Sequence, residues 1–144
     1  MFEGGSKHME LITIEDPNEN EIEPIVNGVI EYGLSQVGGI KPGKWAFHAK
    51  DSNMIIGGAI GRNHFSQFYL DHIWVEEANR SKGIGRQIHS EVIACAESCG
   101  CKRIQLNSLN KAAVTFYRGM GYETLATIEE YVDGFTLYYM AKRI

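Results

Sequence analysis

The stretch Arg80–Ile88, RSKGIGRQI, constrains this chain most, because it must end one element and begin another within a few residues. The apolar run Tyr69–Val75, YLDHIWV, precedes it and reads as a strand. After it, Ile84, Ile88, Val92, Cys95 and Cys99 recur at helical spacing, with Gly100 placed to end the helix. Between the two elements the chain sets Gly83 and Gly85 among Arg80, Lys82 and Arg86. A helix N-terminus offers unpaired N–H groups and the positive end of its dipole, and glycine lets backbone approach an anion closely. The arrangement suits a phosphate or pyrophosphate. The plainer alternative is a strand-to-helix turn with surface cations. Two known phosphate motifs do not apply. A nucleoside-triphosphate loop needs Lys and then Ser or Thr after its last glycine, but Arg86 and Gln87 follow Gly85. A dinucleotide turn needs a third small residue where Ile88 stands.

Around this centre the remaining elements fall into order. Met9–Glu15 alternates like a strand, and Asn20 with Glu23 forms a capping-box pattern for a helix striped by Ile22, Ile25, Val26, Val29 and Ile30. WAFHAK and NMIIGGAIG read as a hairpin around KDSN. CKRIQLNS is a further strand, and Asn110 caps a short helix, KAAVTFYRGM. Two last strands flank Asp133-Gly134, a strong hairpin turn. The order β-α-β-β-β-α-β-α-β-β predicts an α/β fold, a mixed central sheet flanked by helices. Residues 1–8 read as an appended leader before a start at Met9, leaving 9–144 as a single domain, a common size for 144 residues.

The net charge of −4 argues against a general grip on nucleic acid. No apolar run reaches the roughly 20 residues that span a bilayer, so no membrane partner is expected. Cys95, Cys99 and Cys101 are odd in number and, with no secretion signal, read as reduced thiols of a cytoplasmic protein. His89 is the only histidine near them, too few ligands for a metal site.

Arg80-x-x-Gly83-x-Gly85 after a long strand resembles the acyl-CoA signature of the GNAT N-acetyltransferase family. Asn110–Tyr122, NKAAVTFYRGMGY, resembles that family's second signature, an Asn-capped helix ending in Phe-Tyr and a Gly-Tyr turn. One helix and one strand separate the two, as in that family. The resemblance covers Met9 to Ile144 in element order and is motif-specific from about Tyr69 to Tyr122.

What the resemblance implies is an N-acyltransferase in which an amine attacks the thioester of acetyl-CoA directly. The backbone from Gly83 through Ile84 and Gly85 to Arg86, with Ser81 and the charges of Arg80, Lys82 and Arg86, would hold the phosphates of coenzyme A. Backbone groups around Ile73, Trp74 and Val75 would pair with the pantetheine arm and polarise the thioester carbonyl. Asn110 would reach the same arm, although an N-cap role alone explains it. Tyr117 would give a proton to the departing sulfur; packing is its alternative role. Asp71 and His72 are the candidate bases for the acceptor ammonium, Asp71 having a structural role as its alternative. Strict alternation would put Tyr69, Asp71, Ile73 and Val75 on one face and Phe68, Leu70, His72 and Trp74 on the other. Asn107 and Ser108, at a strand end, could orient acceptor or water. Glu129, Glu130 and Asp133, among Tyr131 and Phe135, suit a cationic acceptor or form a solvated hairpin tip. The acceptor is a small-molecule or peptide amine, and the terminal hairpin offers a surface for a homodimer. The alternatives are a longer acyl donor or a non-catalytic acyl-CoA sensor on the same frame.

Overall fold

The structure is a computed structural model and describes residues 8–144. All but the last residue of the expected leader therefore lies outside the described residues. The chain divides into two compact units, residues 1–38 and 39–144.

In the first unit, Met9–Glu15 has no regular secondary structure. Alternation gives a segment strand propensity, but a strand exists only where a neighbour takes its N–H and C=O groups. The expected first strand is thus absent. Helix α1 spans Glu19–Val37. Its cap is Asn18 rather than Asn20: the Asn18 side chain accepts from the Glu21 N–H and the Glu21 carboxylate accepts from the Asn18 N–H, both at 3.0 Å. Asn18 wins because its backbone is extended while Asn20 is already helical.

The second unit holds strands β1 (Gly43–Asp51), β2 (Met54–His64), β3 (Gln67–Val75), β4 (Arg103–Ser108), β5 (Glu123–Val132) and β6 (Phe135–Arg143). Helix α2 (Ile84–Ser98) follows β3, and α3 (Lys111–Gly119) follows β4. Ser52 and Asn53 adopt φ of 49° and 67°, the left-handed pair that a tight β1–β2 turn requires. The sheet order is β1-β2-β3-β4-β6-β5. Every neighbouring pair is antiparallel except β3 and β4. The core lies between this sheet and the apolar faces of α2 and α3: Phe68, Val92, Ile104 and Met140 are fully buried, with Ile88, Ala96, Leu106 and Val114 around them. Each of the larger side chains among them contributes about 1.5–3 kcal/mol by leaving water. No helix among the described residues is long and apolar enough to cross a membrane.

Two irregularities in β3 shape everything that follows. First, β3 pairs with β4 only through Gln67↔Arg103, Phe68↔Ile104 and Tyr69↔Gln105. Beyond Tyr69 the two parallel strands part, which leaves the β4-side edge of Leu70–Val75 without a strand neighbour. Second, the β2–β3 register slips: Gly61 faces Leu70 but Ile60 faces His72, so Asp71 is an extra residue, a β-bulge. The expected alternation fails there. Phe68 and Leu70 face the core before the bulge, Ile73 and Val75 pack against it after the bulge, and His72 and Trp74 are exposed. An inserted residue reverses the phase of a period-two pattern.

Candidate active site

The turn Arg80–Gly83 gives α2 an N-terminus without a cap. Gly83 is the N-cap residue, with φ 80° and no side chain to accept a hydrogen bond. The first N–H that finds a helical acceptor is that of Gln87, bonded to the Gly83 carbonyl at 3.1 Å. Among the described residues, the N–H groups of Ile84, Gly85 and Arg86 have no acceptor. Helix α3 provides the contrast, since Asn110 Oδ1 accepts from the N–H of Ala112 at 2.8 Å and of Ala113 at 3.3 Å. Ser81, with φ 65°, and Gly83 both take positive φ in the turn that leads from β3 into α2. A Cβ at Gly83 would meet nothing within 4 Å. Open space in front of unpaired donors at a positive dipole end is what an anion needs.

Gly85 has closer neighbours. A Cβ there would come 3.4 Å from Phe116 Cζ and 3.9 Å from Val75 Cγ2. That is ordinary van der Waals contact, and α3, the start of α2 and the end of β3 meet around this glycine. Ile84 packs on the core while offering its N–H.

The three cations are also more constrained than the sequence suggests. Arg80 Nε donates to the Val75 carbonyl at 2.9 Å, which ties the turn back onto β3. Lys82 Nζ reaches Asn79 Oδ1 at 3.4 Å. The Arg86 guanidinium lies 5.7 Å from the centre of the Phe116 ring, across the gap to α3. All three remain exposed and contribute positive potential to the turn.

Tyr117 stands on α3 directly after Phe116. Its ring is buried, edge-on to Phe116 at 5.6 Å and to Tyr122 at 5.5 Å. Its hydroxyl has no hydrogen-bond partner among the described residues, yet it is not among sealed-off, unsatisfied buried atoms. Burial raises its pKa, so the hydroxyl keeps its proton and has one to donate. The end of β3, the uncapped turn and Tyr117 are thus brought into one neighbourhood through Val75, Gly85 and Phe116.

Other expected residues fall elsewhere. Asp71, in the bulge, is gripped by Arg62, whose Nε and Nη2 donate to its two carboxylate oxygens at 3.1 and 3.4 Å. Arg62 also lies 4.5 Å from the Tyr69 ring centre. Both carboxylate oxygens are thus taken up by one guanidinium, a contact that fits the structural role weighed against catalysis. His72 is exposed and lines a groove of ≈ 530 Å³ with Lys44, Ile60, Arg62 and Asp71. Asn107 is exposed on β4 opposite Tyr139, and Ser108 Oγ accepts from the Asn110 N–H at 3.2 Å. Asn110 spends its side-chain oxygen on the cap, leaving only Nδ2 for a ligand. Glu129, Glu130 and Tyr131 form a bulge between the pairs Ile128↔Leu137 and Val132↔Phe135, with Glu130 at φ 48°. They do not line the adjacent pocket of ≈ 640 Å³, which is walled by Leu109, Asn110, Lys111, Val132, Phe135 and Tyr138.

His89 Nε2 lies 2.7 Å from the Tyr122 hydroxyl in the core between α2 and the turn after α3. The sequence signal was a histidine beside Ile88 and three residues before Val92, on the buried side of the helix. The three cysteines are free thiols, and burial followed by the neighbouring Cys99 pushes Cys95 up to about 11.

Known proteins match this chain in sequence and fold. The family model described as an acetyltransferase (GNAT) domain matches residues 15–144. The blasticidin-S acetyltransferase of Streptomyces morookaense is 29% identical over 91 residues, 62% of this chain and 67% of that protein. The crystal structure of an acetyltransferase from Bacillus cereus ATCC 14579 superposes with a TM-score of 0.76 at 29% identity, covering 92% of this chain and 98% of that one. An acetyltransferase from Bacillus anthracis str. Ames, solved in complex with acetyl coenzyme A, shares the fold at a TM-score of 0.65 and 22% identity, over 72% of this chain and 64% of that one. This chain belongs to the GNAT family of acetyltransferases, enzymes that use acetyl-CoA.

Proposed function

We propose that this protein transfers the acetyl group of acetyl-CoA to a primary amine of a small molecule or peptide by direct attack on the thioester. The observation that carries this reading is the uncapped start of α2, with three unpaired N–H groups and an open Gly83 face, linked through Gly85 and Phe116 to a buried tyrosine that keeps its proton. Bound acetyl-CoA supplies the electrophilic thioester. The N–H groups of Ile84, Gly85 and Arg86 hold the pyrophosphate, and Arg80, Lys82 and Arg86 add charge around it. The free edge of β3 around Ile73 takes up the pantetheine arm as an added strand would, and a backbone N–H at the bulge polarises the carbonyl. Tyr117 gives its hydroxyl proton to the sulfur as the carbon–sulfur bond breaks. His72, exposed in the groove beside the bulge, takes the ammonium proton directly or through water, because Arg62 occupies Asp71. A blasticidin-S acetyltransferase among the relatives supports a small amine-bearing acceptor. The pocket of ≈ 640 Å³ beside α3 has room for one.

Thiol release from acetyl-CoA across an amine panel tests this directly. Turnover with at least one primary amine is expected, and binding without turnover on any acceptor would leave a sensor instead. With an acceptor in hand, Tyr117→Phe should lower kcat by about 10²-fold, the common scale for a positioned proton donor. KM for acetyl-CoA should hardly change, because the interaction matters only as the thiolate forms. Full turnover in that variant would make Tyr117 a packing residue.

A further inference from the structure

Helix α2 carries one polar side chain into the core. His89 is 3% exposed among Ile88, Val92 and Ala96. A buried imidazole needs a partner, and its partner is the Tyr122 hydroxyl at 2.7 Å. Tyr122 is itself 3% exposed and belongs to the turn that closes α3. It holds Tyr117 twice: its N–H donates to the Tyr117 carbonyl at 3.0 Å, and its ring lies edge-on to the Tyr117 ring at 5.5 Å and 63°. His89 follows Ile84, the first residue of the helix, by five positions, about 7.5 Å of rise. The start of α2 and the ring of Tyr117 are therefore joined through one hydrogen bond.

A leucine at position 89 would fill the same core without burying a polar group, and a buried hydrogen bond nets only about 1 kcal/mol. What the bond adds is direction, since apolar contact is non-directional. Tyr117 needs direction from its surroundings because its own hydroxyl has no protein partner among the described residues. We propose that His89 is a positioning residue for acetyl transfer: by fixing the Tyr122 ring it fixes the angle at which Tyr117 presents its hydroxyl, in register with the anion-binding turn at the head of the same helix. Burial, and then the charges of Lys142 and Arg86, lower His89 to about 4, so the imidazole stays neutral and keeps one donor and one acceptor nitrogen. Burial likewise keeps Tyr122 protonated, with Tyr117 beside it adding to the effect. The inference rests on Tyr117 being the proton donor.

The test is a double-mutant cycle. Tyr122→Phe removes the hydroxyl and keeps the ring, and His89→Gln serves as the second route should the first variant fold poorly. Each is made alone and with Tyr117→Phe, and kcat, KM and the calorimetric Kd for acetyl-CoA are measured on protein shown to be folded. Tyr122→Phe should lower kcat about 10-fold, the scale of one misdirected hydrogen bond, with Kd and KM moving less than about twofold. In the Tyr117→Phe background the same change should cost less than about twofold, because there is no hydroxyl left to aim. Unchanged kcat in Tyr122→Phe or His89→Gln, while Tyr117→Phe is impaired, overturns the positioning role alone. An undiminished loss in the Tyr117→Phe background overturns it too, showing a merely structural bond. Full turnover in Tyr117→Phe overturns the donor reading and this inference with it.

Discussion

The most quantitative consequence of the fold concerns His89 and pH. Burial, then Lys142 and Arg86, lower its pKa from 6.5 to about 4. The unfolded chain, where the imidazole regains its ordinary value, binds a proton that the folded chain refuses. The sign follows: the contribution of this site to stability is intact above about pH 6.5, falls as the pH drops below that, and is fully lost below about 4. At about 1.4 kcal/mol per pH unit, the whole window is worth about 3 kcal/mol, and the part between pH 7.5 and 5.0 about 2 kcal/mol. That is a large share of the 5–15 kcal/mol typical of a domain. Urea unfolding of the wild type and of His89→Gln at both pH values reads it out. The two proteins differ only at position 89, so the difference between them isolates that residue. The wild type should lose about 2 kcal/mol more than the variant on going to pH 5.0, roughly a 1 M shift in midpoint at a typical urea slope. Parallel pH dependence in the two proteins would refute the argument, because it would mean that the native imidazole takes up its proton as easily as the unfolded one.

Gly83→Ala should cost about 1–2 kcal/mol through its left-handed φ, and should weaken acetyl-CoA binding at least about 10-fold by calorimetry on the folded variant. Unchanged affinity would remove the anion cradle. Gly85→Val should act differently, losing about 1–3 kcal/mol of thermal stability as the new methyl groups press on Phe116. Asn110→Ala should cost about 1 kcal/mol by denaturation, whereas Asn110→Asp should keep the cap. A loss of acetyl-CoA affinity in the aspartate variant would then assign a binding role to Nδ2.

Much of the fold was legible because its signals are local. Hairpin turns at Ser52-Asn53 and Asp133-Gly134, the cap at Asn110 and the apolar stripe of α2 each lie within a few residues, and each formed as expected. Met9–Glu15 failed because a strand depends on a partner that no local pattern specifies. The shift of the α1 cap from Asn20 to Asn18 was a choice between two competent side chains, settled by backbone conformation. At the candidate site, the uncapped glycine turn and the place of Tyr117 on its helix were readable from local patterns. The Arg62 grip on Asp71 and the absence of Glu129 and Glu130 from the neighbouring pocket were not, since both depend on cross-strand register.

By itself the sequence determined the order of elements from β1 onward, the basic glycine turn at the head of a helix and the tyrosine that follows an asparagine-capped turn. These are properties of short segments, governed by periodicity, capping and backbone freedom. Only the tertiary structure decided that one extra residue at Asp71 reverses the faces of β3, and that β3 and β4 part after three pairs. It alone decided that Gly85 lies against Phe116 and Val75, and that His89 meets Tyr122 across 33 positions of chain. Register, splay and core contact join residues far apart in the chain, and their outcome depends on the packing of whole elements rather than on any local run of residues.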